Sequence, residues 1–340
     1  MPKSKEFVDI IQNKMGDVTY KMLIHKIKKN INHNQSYLQK GLSIKFLKDQ
    51  NFRKKRIAII VGAGPSLKRN DQTKILKKYK DKAIIIACDG TLFYCLKNNI
   101  VPDLVVTLDS HPTRIVRWFG DENLNSKKMK KDDYFRRQDL DIDFRKEILV
   151  NNLVLKLTNK FGKKLNIALC TTSSKAVVKR LIKIKSKIYW WNPFIDDPDK
   201  KNSISRKIFN KNKLPLINSG GNTGSAAWMI ADSVLGCKKI AMIGMDFSYY
   251  NDTKLNQTQY YDFLTKYYSK KNIKYFFKKI YNPVTKSSFY TDHVYYWYRK
   301  CFFEMLSNTN SRTYNCTGGG ILFGKSIKSL DLKSFCNRYI

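Results

Sequence analysis

The sequence lacks a cysteine framework: its seven cysteines (Cys88, Cys95, Cys170, Cys237, Cys301, Cys316 and Cys336) are odd in number, none forms a C-x-x-C pair and none stands beside a histidine at metal-ligand spacing. That excludes a zinc ribbon and a disulfide scaffold and leaves reduced, mostly buried thiols. A long apolar run is missing as well. The N-terminus, MPKSKEFVDIIQNKMGD, carries charge early, and the longest apolar stretches are strand-sized, such as Ile57 to Val61. Neither a signal peptide nor a membrane span is expected, and the expected location is cytoplasmic. Acidic residues are few, 27 against 65 Lys and Arg, for a formal charge of +38. A field of that size attracts nucleic acid, an anionic membrane and an acidic substrate alike, so it names no partner. Lysine is spread along the chain among Asn, Ile and Tyr, so a solvated basic surface is the expectation ahead of nucleic-acid binding, with a peripheral contact to an anionic membrane kept open.

What is present is a globular composition. The 340 residues are 42% apolar and 13% aromatic, enough for one large core or two modest ones. From Arg56 short apolar runs alternate with helix-length segments: IAIIV (57–61), AIIIAC (83–88), LVVTL (104–108), NIALC (166–170), KIYWW (187–191) and KIAMIG (239–244). Continuous β-branched runs suit strands buried on both faces, and their alternation with helices predicts an α/β fold with a doubly wound, mostly parallel, Rossmann-like sheet. Residues 1–52 read as a basic helical segment on helix-period apolar positions (Phe7, Ile10, Ile11, Met22, Leu23, Ile27) that packs on the main domain. Residues 53–250 form the nucleotide-binding core, with a charged, exposed insertion over 120–146. Residues 251–340 read as a helical lid and C-terminal closing segment, with helices over Thr258 to Tyr268 and Val294 to Leu306.

Ligands of such sheets bind beyond the carboxyl ends of the strands, where four groups of residues fall. Gly62-Ala63-Gly64-Pro65-Ser66 follows the first long strand; its glycines would let the backbone approach a phosphate, and Ser66 could donate to it. It lacks the third glycine of a dinucleotide fingerprint and the Gly-Lys-Ser/Thr of a P-loop, and a tight turn without a ligand is the alternative. Asp89 with Gly90, and Asp109 with Ser110, end the next two strands, where an acid can hold a ribose hydroxyl, a base amino group or Mg²⁺, or merely cap a helix. Ser219-Gly220-Gly221-Asn222-Thr223 opens a small-residue helix and forms a second anion cradle or a close-packed turn; Asp246 ends the strand beyond it. Of four histidines, His111 and His293 lie near these loops, and His293, before an aromatic helix, is the candidate base. Trp190 and Trp191 follow a strand and line an acceptor or fill a core.

Taken together, VGAGPSL, ACDGTLFYCLKNNIVPDLVVTLD, GGNTGSAAWMIADSVLGCKKIAMIGMDFSY and YNCTGGGILFG resemble the Maf (motility accessory factor) and MptE-like superfamily over roughly Arg56 to Gly324. That resemblance implies one of two reactions. Maf proteins are similar to Campylobacter-type sialyltransferases, whose donor is a CMP-activated nonulosonic sugar; the archaeal MptE branch is a 6-hydroxymethyl-dihydropterin diphosphokinase using ATP and Mg²⁺. The sialyltransferases share Gly-x-Gly-Pro-Ser-Leu, here Gly62 to Leu67, a strand ending in Gly-x-Asp-Phe, here Gly244 to Phe247, and a histidine base before a late helix, a place His293 matches. The kinases carry His-Gly-Asp-Asn and Asp-Leu-Asp-Gly, where this chain has Ser219-Gly220-Gly221-Asn222 and Thr107-Leu108-Asp109-Ser110. Ala63 in place of an asparagine and Gly318 in place of an acid depart from the transferase pattern.

The resemblance therefore implies sugar transfer from a CMP-type donor to a sugar or protein hydroxyl. In that reading Gly62, Gly64, Pro65, Ser66, Asp89, Gly90, Asp109, Ser219, Gly220, Gly221, Asn222, Thr223 and Asp246 hold the donor, Tyr260 and Tyr261 steady the leaving phosphate, His293 is the base and no cofactor is required. The diphosphokinase alternative places Mg²⁺ on Asp89, Asp109 and Asp246. A nonenzymatic module for RNA or anionic lipid is the third alternative.

Overall fold

The structure, a computed structural model, describes residues 24–49, 56–111, 113–131, 144–261, 264–265, 270 and 272–340. Ten strands form one sheet in which every paired neighbour runs parallel: β1 (Leu42–Ser43), β2 (Ile57–Val61), β3 (Ile84–Cys88), β4 (Leu104–Thr107), β5 (Asn166–Cys170), β6 (Lys187–Pro193), β7 (Leu216–Ile217), β8 (Lys239–Ile243), β11 (Arg312–Asn315) and β12 (Lys328–Ser329). The order across the sheet is β1-β6-β5-β4-β3-β2-β8-β11-β12, with β7 beside the end of β6. The remaining strands, β9 (Phe277–Asn282) and β10 (Ser287–Asp292), pair antiparallel as a separate hairpin.

The six predicted runs become β2, β3, β4, β5, β6 and β8, for the reason their composition suggests. Both pleat faces are covered: Ala58, Ile60, Ile84, Ile86, Val106, Ala168 and Met242 enter one core, while Ile59, Val61, Ile85 and Ala87 enter a second and Val105, Ile167 and Leu169 a third. A strand buried on both sides shows no polar alternation, which is why these runs read as continuous. The small-residue helix Thr223–Met229 buries Gly224, Ser225, Ala226 and Ala227, which lets it lie close over the middle of the sheet.

Two expectations change. Past Tyr249 the chain is not wholly helical: it forms the β9–β10 hairpin and then adds β11 and β12 to the main sheet. Those strands are short and carry polar or aromatic residues (RTYN, FKKIYN), so they lack the aliphatic signature that marked the others. The N-terminal segment also does more than pack as helices, since β1 pairs with β6 through Leu42–Tyr189 and Ser43–Trp190. Residues 24–34 are helical, with Ile24 and Ile31 packed on Ile204 and Ile208; Phe7, Ile10, Ile11, Met22 and Leu23 lie outside the described residues. In the charged stretch 120–146, residues 125–128 are exposed, but Asp121 N–H donates to Asn151 Oδ1 (2.8 Å) and Met129 is buried, so its start is tied to helix Phe144–Phe161. Residues 132–143 lie outside the described residues.

Candidate functional site

Parallel strands bring all their carboxyl ends to one edge of the sheet. The order reverses between β2 and β8, the position where open α/β sheets form a crevice. The first glycine loop lies there, but its amides are engaged. Gly62 N–H donates to the Ile243 carbonyl and Gly64 N–H to the Gly244 carbonyl, both at 2.8 Å. Ser66 Oγ donates to Asp246 Oδ2 at 2.7 Å. A Cβ at Gly62 would stand 2.5 Å from the Gly244 carbonyl oxygen, and one at Gly64 would run into that carbonyl and the Asp246 carboxylate. The expectation that Gly62, Gly64 and Ser66 present donors to a phosphate is therefore corrected: they let two strand-end loops lie against each other, and Pro65 starts the one-turn helix Ser66–Arg69. In the β8 turn Gly244 has φ +64° and Phe247 φ +49°. The left-handed region costs a bulky side chain about 1–3 kcal/mol, so Asp246 sits in a strained turn.

The acids of the next two strands have different surroundings. Asp89 is buried; Oδ1 accepts from Gly90 N–H and Oδ2 from Thr107 Oγ1, both at 2.8 Å. Burial pushes its carboxyl up to about 7, against the pull of those hydrogen bonds. Asp109, partly buried, accepts from His111 N–H at 2.8 Å, and burial raises it to about 6 while Lys26 opposes the rise. Asp89 and Asp109 are near enough that the charge of Asp109 contributes to the Asp89 shift. Among the described residues no three His, Cys, Asp or Glu side chains gather, so Asp89, Asp109 and Asp246 do not form one three-carboxylate set.

The second glycine turn reaches the same crevice. Gly220 and Gly221 have φ +54° and +82°, and Asn222 caps helix Thr223–Met229 by accepting from Ser225 N–H at 2.9 Å. Ser219 receives the Gly221 amide on its hydroxyl at 3.4 Å. A Cβ at Gly62 would stand 2.7 Å from Met245 Sδ, and one at Gly224 would press on the same sulfur, so both turns close on one side chain.

Opposite them stands a wall of tyrosines on helix His293–Leu306, whose N-cap Asp292 accepts from Val294 and Tyr295 N–H. Tyr249 donates to Asp292 Oδ2 at 2.6 Å, Tyr295 donates to Gln259 Oε1, and Tyr260 and Tyr298 share a hydrogen bond. A Cβ at Gly221 would stand 2.7 Å from the Tyr298 ring. The charge of Asp109 acts on Tyr298 and that of Asp246 on Tyr295, which brings the wall within electrostatic reach of the strand ends. Burial raises Tyr260 and Tyr295 well above the usual phenol range and Tyr298 to about 12, so all three stay protonated donors. His293 is 5% exposed, its ring lies edge-on to Phe276 at 5.8 Å, and its buried Nδ1 has no hydrogen-bond partner among the described residues. Burial lowers its pKa, with Asp292 opposing, which favours the neutral imidazole.

Residues 29–128 match the family model described as 6-hydroxymethylpterin diphosphokinase MptE-like. The fold is shared with the MAf glycosyltransferase from Magnetospirillum magneticum AMB-1, at a TM-score of 0.52 and 15% identity, over 82% of this chain and 34% of that one. Residues 29–128 are thus similar to the MptE-like family, and the fold is that of a Maf glycosyltransferase. The chain spans about a third of the length of that glycosyltransferase (34%). No curated protein matches the sequence.

The MptE-like match begins at residue 29, ahead of the Arg56 boundary drawn from the motifs. The helix over residues 24–34 reaches the strand-end loops. Asn30 Nδ2 donates to the carbonyls of Ser110 (3.1 Å) and Thr172 (2.9 Å), and Asn34 Nδ2 to those of Thr171 (2.9 Å) and Ser173 (2.8 Å). The two asparagines, one helical turn apart, clamp the loops after β4 and β5. That spacing was the available signal, hidden among lysines. Tyr295, Tyr298 and Asp292 were missed because the run was read only as helix, although an aromatic pair three apart after an Asp N-cap marks one face. Thr317 to Gly320 wrap the other side of Asp246: Met245 N–H meets Thr317 Oγ1 at 3.3 Å, and a Cβ at Gly320 would strike the Asp246 backbone. Trp190 and Trp191 are fully buried in separate cores and line no acceptor surface. Tyr261 lines a different cavity from the crevice that Tyr260 faces.

Proposed function

We propose that this chain is a transferase that moves a sugar from a CMP-activated nonulosonic donor to a hydroxyl acceptor. The observation that carries the reading is His293: a buried, neutral-favoured imidazole whose Nδ1 has no partner among the described residues, at the head of a helix whose tyrosines lie within electrostatic reach of the strand-end acids. Asp89, Asp109, Asn222 and Thr223 would hold the nucleotide, with Asp89 partly protonated near neutrality and Asp109 mostly ionised. Tyr260 and Tyr298 would donate to the departing phosphate; a donor aimed at developing charge in a dry site contributes about 3 kcal/mol. His293 would take the acceptor proton as the acceptor oxygen bonds to the anomeric carbon and CMP leaves with the electron pair of the broken bond.

A second reading, pyrophosphoryl transfer from ATP to a pterin alcohol, is supported by the description of the family model over residues 29–128. The three acids do not gather as one set, and a Mg²⁺ held by one or two carboxylates and the ATP phosphates needs no such set. Thermal shift with CMP, CDP, ATP and a pterin, each with and without Mg²⁺, separates the two readings, because a ligand raises stability by RT ln(1 + [L]/Kd). Stabilisation by CMP without metal, together with transfer activity lost in His293→Ala, is the expected result. Stabilisation only by ATP with Mg²⁺ replaces the first reading by the second. The acid limb of kcat/KM is expected below pH 6.5, the ordinary histidine value, since burial lowers the His293 pKa.

A further inference from the structure

Beyond the histidine lies a cavity that the nucleotide crevice does not use. It measures about 700 Å³ and is lined by Leu255, Asn256, Tyr261, Lys270, Asn272, Ile273, Lys274 and Tyr275. That volume suits a ligand of one or two sugar rings. Among the described residues no carboxylate lines it; its polar groups are two ammonium groups, two carboxamides and two phenols. Lysine is common in this chain, but the local excess is steeper: between Thr253 and Thr291 the sequence has eight lysines and one acid, Asp262, against 65 and 27 overall.

Two covalent neighbours tie the cavity to the site. Tyr261 lines it while the adjacent Tyr260 bonds to Tyr298. The turn Ile273–Phe276 supplies Ile273, Lys274 and Tyr275 to the cavity, and its last residue, Phe276, lies edge-on to His293.

We propose that this cavity is the acceptor subsite and that it selects an anionic saccharide, one bearing a carboxylate or a phosphate close to the hydroxyl that reacts. Lys270 and Lys274 would pair with the acid group, Asn256 and Asn272 would bond hydroxyls, and the rings of Tyr261 and Tyr275 would cover an apolar sugar face. The proposal rests on the sugar-transfer reading for its role as acceptor, but not for the binding itself.

The test measures binding by calorimetry of three disaccharides, ending in a uronic acid, a sugar 6-phosphate or the neutral sugar, to the full chain. Variants are Lys270→Ala/Lys274→Ala and, as a control for the general positive field, Lys279→Ala/Lys286→Ala on the β9–β10 hairpin. The cavity pair is expected to weaken at least one anionic disaccharide tenfold or more, with the neutral sugar bound weakly throughout and the hairpin pair within twofold of wild type. Which of the two anions binds tells carboxylate from phosphate. Equal binding of neutral and anionic sugars, or equal loss in both double variants, overturns the proposal. CMP is titrated in parallel: if CMP fails to bind the wild type while the anionic sugar behaves as expected, the donor reading falls and the cavity stands.

Discussion

The two sides of the crevice are built on different principles. The glycine rim at the ends of β2 and β8 turns its polar groups on itself: Gly62, Gly64 and Ser66 all bond to the β8 turn. The tyrosine wall holds its polar groups in a chain, from Tyr249 through Asp292 and from Tyr260 to Tyr298, and the charges of the strand-end acids reach it. Glycine is used on the rim for close approach of backbone to backbone, whereas the wall presents hydroxyl groups that stay protonated. A glycine-rich loop at a strand end is therefore not in itself a phosphate cradle.

The comparison breaks most visibly under a pair of substitutions. Gly64→Ala places a methyl against the Asp246 carboxylate and the Gly244 carbonyl, neither of which can retreat without moving a strained turn. A loss of about 3 kcal/mol or more is expected from urea denaturation. Tyr298→Phe removes one hydroxyl and leaves the ring against Gly221; a cost of about 1 kcal/mol is expected, with weakened CMP binding as the main effect. If Gly64→Ala is as stable as wild type and Tyr298→Phe unfolds, rim and wall have been assigned the wrong way round.

How far the sequence disclosed this follows from the same contrast. Aliphatic strands such as IAIIV were legible because burial on both faces leaves no other composition. The position of Gly62 and Gly220 on one crevice was legible from strand order. What the amides of Gly62 and Gly64 do was not, because the same glycine serves an anion or a neighbouring carbonyl, and only the partner strand β8 decides. The tyrosine wall was hidden for a different reason: Tyr295 and Tyr298 acquire meaning from Asp109 and Gly221, far away in the chain. The β9–β10 hairpin, with FKKIYN and SSFYTD, lacks the aliphatic run that a strand pattern needs.

A second test sharpens the rim itself. Burial raises Asp89 from its ordinary value to about 7, so the folded state holds a proton that the unfolded chain releases near pH 4. Between those values the folded state binds more protons than the unfolded one, and this group makes stability fall as pH rises. Asp89→Asn keeps an acceptor for the Gly90 amide and lets the carboxamide donate to Thr107, while removing the titration. The variant is expected to gain about 2 kcal/mol on wild type between pH 5 and pH 7 in urea melts. Parallel curves for the two proteins would mean that Asp89 is not buried as a carboxylic acid.

A last test concerns what holds the neighbouring strand-end loops, those after β4 and β5, from outside. Asn34 is fully buried, and its Nδ2 serves the carbonyls of Thr171 and Ser173 at once. Asn34→Ala leaves both carbonyls without that donor, for an expected cost of about 1–2 kcal/mol. A purely structural clamp would stop there. Because Asn30, one turn earlier, holds Ser110 next to Asp109, loosening the helix should also free the Asp109 loop and raise the CMP Kd several-fold. The double variant Asn30→Ala/Asn34→Ala is expected to lose more CMP affinity than Asn34→Ala alone. If both variants melt earlier but bind CMP as wild type does, the N-terminal helix supports the fold and takes no part in shaping the crevice.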